Sequence, residues 1–112
     1  MRIFWRNRKT IEEEYKEALR LVVQTFDNFP DLSLDFSDRQ VNEIIIPRFR
    51  KLIEAELAND ASKGQKGITN PVVTLARIIT DPKSWKSTQQ YKEDTWQQLK
   101  VLVFDRYNKL QK

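Results

Sequence analysis

A chain of 112 residues has room for one domain with a real core, burying roughly two thirds of the surface that its unfolded form exposes. Hydrophobic residues make up 39% of it, with six Phe, three Tyr and three Trp, which excludes a disordered chain even though 32% of the residues are charged. It contains no histidine and no cysteine, so the side chains most used as neutral-pH proton shuttles, thiol nucleophiles and zinc ligands are missing, and catalytic, metal and cofactor sites are not expected.

The net charge of +4 is unevenly spread. Residues 1 to 38 are slightly acidic, whereas within residues 61 to 92 Lys63, Lys66, Arg77, Lys83, Lys86 and Lys92 face Asp81 alone. Such a stretch attracts nucleic acid or another acidic partner through a field that salt screens, or is a solvated face without a partner. No apolar run approaches the length of a membrane span, and Ile3-Phe4-Trp5 is too short for a signal-peptide core, so stable membrane insertion is not expected and a cytoplasmic protein is.

Residues 1 to 9 form a basic aromatic arm in which Arg2, Arg6, Arg8 and Lys9 surround Ile3, Phe4 and Trp5. Large aromatics gain most by burial, so Phe4 and Trp5 either pack over the core or meet a partner. Residues 10 to 112 read as one helical domain. Thr10-Ile-Glu-Glu13 is a capping-box pattern, and Tyr15, Ala18, Leu19, Val22 and Phe26 then recur at spacings of three and four, predicting a helix over residues 10 to 28 that Asn28-Phe29-Pro30 ends.

Residues 29 to 36 read as an extended connector whose Phe29, Leu32, Leu34 and Phe36 partly cover the core. Asp27, Asp31, Asp35 and Asp38 fit caps and turns there, since they lack the alternating ligands and central glycine of a calcium loop. Ser37-Asp-Arg-Gln40 is a second capping box, opening a helix over residues 38 to 59 through Val41, Ile44, Ile45, Phe49, Leu52, Ile53 and Leu57. Pro47 lies inside it, lacks an amide hydrogen and crowds the preceding turn, which predicts a kink or two shorter helices.

Both glycines, Gly64 and Gly67, fall in the next loop with Lys63 and Lys66, making it the best local candidate for an anion site although it has no phosphate-loop pattern. Asn70-Pro71 supplies a cap followed by proline at the first helical position, and Val72, Val73, Leu75, Ala76, Ile78 and Ile79 predict a short buried third helix over residues 71 to 80. Asp81-Pro82 repeats the signature, opening a turn through Trp85. The last helix is expected over residues 88 to 111, with Trp96, Leu99, Val103, Tyr107 and Leu110 inward, while Val101 and Phe104 lie off that line and are free to face a partner.

The expected fold is therefore all-α, a single-domain bundle of about four helices. Neighbouring acids such as Glu13 with Glu17 and Glu93 with Asp94 sit in settings that look solvent-exposed, with nothing to tune a catalytic pKa. The leading expectation is a small non-enzymatic interaction or assembly module that binds a protein partner or another copy of itself through Phe4, Trp5, Val101 and Phe104. The alternative is a nucleic-acid binder, with residues 71 to 87 and the following helix as a helix-turn-helix in which Gln89, Gln90 and Lys92 meet bases. Lys63, Lys66, Lys83 and Lys86 would then supply contacts to the backbone.

Overall fold

The structure, a computed structural model, describes the backbone of residues 8–31, 36–65, 69–81, 83 and 89–110. Phe4, Trp5, Lys66, Lys86 and the turn through Trp85 lie outside the described residues, as does the arm before Arg8. The fold is all-α: α1 spans Arg8–Asn28, α2 spans residues 38–62, α3 spans Pro71–Thr80 and α4 spans Gln89–Leu110. Helices α2 and α4 each pack against both α1 and α3.

Helix starts follow the local chemistry closely. At the head of α2 the Ser37 hydroxyl accepts from the Gln40 amide at 3.0 Å while the Gln40 side chain accepts from the Ser37 amide at 2.9 Å, completing the reciprocal capping box. At the head of α3 the Asn70 side-chain oxygen accepts from the amides of Val72 and Val73, and Pro71 follows where no amide is needed. Helix α1 differs from expectation by starting at Arg8, so Thr10 lies within its first turn instead of capping it. Arginine and lysine at positions 8 and 9 are good helix formers, and nothing between them and Thr10 stops the helix from extending.

The interruption expected at Pro47 takes the form of a π-helical turn over Val41–Ile45, between α-helical Asp38–Gln40 and Ile46–Ser62. The amide of Ile46 reaches five residues back to the carbonyl of Val41. The wider turn accommodates the proline ring and its missing hydrogen, so α2 continues as one element.

The core centres on three rings from three helices. Phe26 of α1 meets Trp96 of α4 edge-on at 4.7 Å and Phe49 of α2 at 5.6 Å, and Phe49 lies 5.5 Å from Trp96. Leu19, Val22, Ile45, Leu52, Leu99 and Val103 fill the space around them. The Trp96 indole N–H donates to the carbonyl of Phe29 at 2.9 Å, which pins α4 to the exit of α1. Helix α3 is buried along one face through Val72, Val73, Ala76 and Ile79, while Pro71, Thr74 and Arg77 remain exposed.

α2 ends in a Schellman motif. The Gln65 amide bonds the carbonyl of Asp60 at 2.9 Å, the Gly64 amide bonds that of Ala61 at 3.1 Å, and Gly64 takes φ of 71°. A Cβ at Gly64 would meet nothing within 4 Å, so the cost of adding one is purely conformational. Gly64→Ala is expected to lower stability by about 1 kcal/mol, read as a lower denaturant midpoint with an unchanged m-value.

Candidate functional site

Two features stand apart from ordinary core and solvated surface: an apolar groove between α3 and α4, and a buried carboxylate between all four helices. The groove encloses about 550 Å³ and is lined by Pro71, Thr74 and Leu75 on α3 and by Gln98, Val101 and Leu102 on α4, with Thr69 at its end. Its origin lies in the sequence of α4. Trp96, Leu99 and Val103 turn inward and are fully buried, and at 3.6 residues per turn Val101 falls on nearly the opposite face. Val101 is 69% exposed and adjoins the apolar lining of the groove.

Phe104, also expected to face a partner, lies on the flank of α4, half-buried against the core with its ring 6.3 Å from that of Phe26. Of the candidates Phe4, Trp5, Val101 and Phe104, Val101 is the one that the described structure sets on an open surface.

The second feature was not anticipated. Glu56 is 1% exposed, and each helix contributes to its compensation. The Tyr15 hydroxyl of α1 donates to Oε2 at 2.5 Å, Arg106 Nε of α4 lies 3.0 Å from the same oxygen, and Asn70 Nδ2 at the head of α3 donates to Oε1 at 2.8 Å. Asn70 also donates to Asp60 at 2.9 Å while its oxygen caps α3, so one side chain both starts a helix and anchors it to α2. Arg106 Nε is fully buried but its N–H is not aimed along the contact, which makes the pairing with Glu56 ionic more than directional. Burial, then the hydrogen bond to Glu56 and that carboxylate's charge, push the Tyr15 phenol well above its ordinary range. The signal for this node was present in the spacing: Ile45, Phe49, Leu52, Glu56 and Asn59 step by four and three along the buried face of α2, whereas Leu57, expected inward, is 45% exposed.

The residues of the basic stretch separate. Lys63 and Lys83 are exposed, Gln89 and Gln90 belong to the first turn of α4 but their side chains lie outside the described residues, and Lys92 is 3% exposed. Lys92 continues the inward stripe of Trp96, Leu99 and Val103. Desolvation brings its pKa down to about 8, against the opposing effect of Asp81. Of the neighbouring acids, Glu17 pairs with Arg20, whose hydrogen bond lowers the Glu17 pKa. Among the described residues no group of three His, Cys, Asp or Glu is arranged to hold a metal ion, and no helix is long and apolar enough to cross a membrane.

No family model, curated protein or solved structure matches the chain.

Glu56→Ala should cost about 3 kcal/mol or more, because it strands Tyr15 and Arg106 without their acceptor, and Glu56→Gln should cost less. Paired chemical denaturation curves check the order. Lys92 titrates lower in the folded chain, about 8, than its ordinary 10.5, so the unfolded chain binds more protons between these values and stability falls as pH drops from about 10 to about 8. Lys92→Met should flatten the dependence of the melting temperature on pH across that window.

Proposed function

We propose that the protein is a non-enzymatic interaction module whose α3–α4 groove receives apolar side chains of a protein partner, a second copy of the chain included. The observation that carries this reading is Val101, 69% exposed at the edge of an open apolar groove on a helix whose core-facing residues are already buried elsewhere. The commitments of the buried acid support it: Glu56 is held by Tyr15, Asn70 and Arg106, a setting that fits structure better than acid-base work. The nucleic-acid alternative is weakened by the burial of Lys92.

The cysteine-free chain allows a photo-crosslinker to be attached at one engineered cysteine. Val101→Cys so labelled is expected to form adducts, with itself in concentrated solution or with a partner in its native host, whereas the same label at the exposed Arg50 of α2 forms none. Adding Leu75→Asp, across the groove, should abolish the Val101 adducts while circular dichroism shows the fold retained. Equal labelling from both positions, or no adduct from Val101 in either setting, overturns the reading.

A further inference from the structure

A second cavity, of about 390 Å³, opens between the start of α1 and the end of α2, on the side of the bundle where Lys63 emerges. It is at the small end of the roughly 300–1,000 Å³ range of ligand sites. Its most telling member is Asn59. This residue is only 9% exposed, it lines the cavity, and its side-chain amide makes no hydrogen bond with any described residue. A primary amide carries two donors and an acceptor, and that of Asn59 opens on the cavity instead of being sealed in the interior.

The charges around Asn59 divide into used and unused. On the deeper side Glu56 is held by Tyr15, Asn70 and Arg106, Asp60 by Asn70, and Lys109 by Asp105. On the cavity side Lys16 and Lys63 form no ion pair among the described residues, and neither do Glu12 and Glu13. Both signs therefore face one small space without neutralising each other, beside the apolar side chain of Leu110. A simple anion would meet Glu12 and Glu13, and a simple cation would meet the lysines. A compact molecule carrying both charges satisfies each side at once.

We infer that this cavity binds a small zwitterion of the free α-amino acid type. Lys63 and Lys16 face its carboxylate, the Asn59 amide donates to the same group, Glu12 and Glu13 face its ammonium, and an apolar substituent rests against Leu110. The site is separate from the α3–α4 groove and shares no lining residue with it, so the two readings stand or fall independently.

The test uses the full chain titrated with L-leucine and followed by ¹H–¹⁵N spectra. Saturable shifts of the Asn59 side-chain amide and of the Lys63 backbone amide are expected. N-acetyl-leucine, which lacks the ammonium, and leucine amide, which lacks the carboxylate, should each bind about tenfold more weakly or worse, as loss of a charge-assisted contact implies. Lys63→Ala, at an exposed position that leaves the fold intact, should weaken leucine binding to a similar degree, and Val101→Asp should not affect it. No saturable shift up to the solubility limit of leucine overturns the inference, and so does equal binding by either blocked form, by acetate or by phosphate.

Discussion

The Glu56 carboxylate is the constraint on which the arrangement of the helices depends. An ionised carboxylate taken out of water costs several kcal/mol unless its oxygens are fully engaged, and here they are engaged by Tyr15, Asn70 and Arg106 from the other three elements of the fold. Apolar side chains resist sliding through the fit of their shapes. A carboxylate held by a hydroxyl, an amide and a guanidinium adds to that resistance, since moving any helix by one turn would leave it unpaired in the interior. The node thus penalises any shift of register, on top of the close packing of the rings around Phe26.

Helix α4 is clamped at two points. Trp96 donates to the carbonyl of Phe29 and Arg106 pairs with Glu56, with ten residues or about 15 Å of helix between them. Gln97 adds a bond to the carbonyl of Pro30 at 3.0 Å. Val101 lies midway along this clamped segment and faces outward, so the groove beside it is carried by rigid secondary structure on both walls. A binding surface of that kind loses little conformational freedom when occupied. The groove also begins at Pro71, immediately after the residue that joins α3 to the buried node, which ties the shape of the binding surface to the same polar contacts that set the register.

Part of the basic surplus is paired locally among the described residues. Arg20 pairs with Glu17, Arg39 with Glu43 and Lys109 with Asp105, each within its own helix. Such exposed pairs contribute little stability, and each neutralises charge only over its own turn of helix. The short node contacts and the dispersed surface pairs show the same chemistry at two dielectrics: specific where water is excluded, nearly neutral where it is not.

Helix boundaries were legible in the sequence because they are set locally. Ser37 with Gln40, and Asn70 with Pro71, bring donors and acceptors together within three residues, whatever the rest of the chain does. The aromatic stripes of α1 and α4 were equally legible from their spacing, and so was the exposure of Val101 opposite Trp96 and Leu99. Spacing and polarity disagree at a few buried positions. Glu56, Asn59 and Lys92 each occupy a buried step of a four-three pattern, yet a charged or amide group there is tolerated only if distant residues arrive to compensate it. Phe104 shows the converse, an apolar residue off the main stripe that the curvature of the core against Phe26 takes in. The sequence by itself thus determined that this is an all-α chain, where most of its helices begin and end, and which apolar residues line each helix's inward stripe. Only the tertiary structure decided which polar groups go inside and which cavities are left open, because those outcomes depend on contacts between residues as far apart as Tyr15 and Arg106, where no local preference acts.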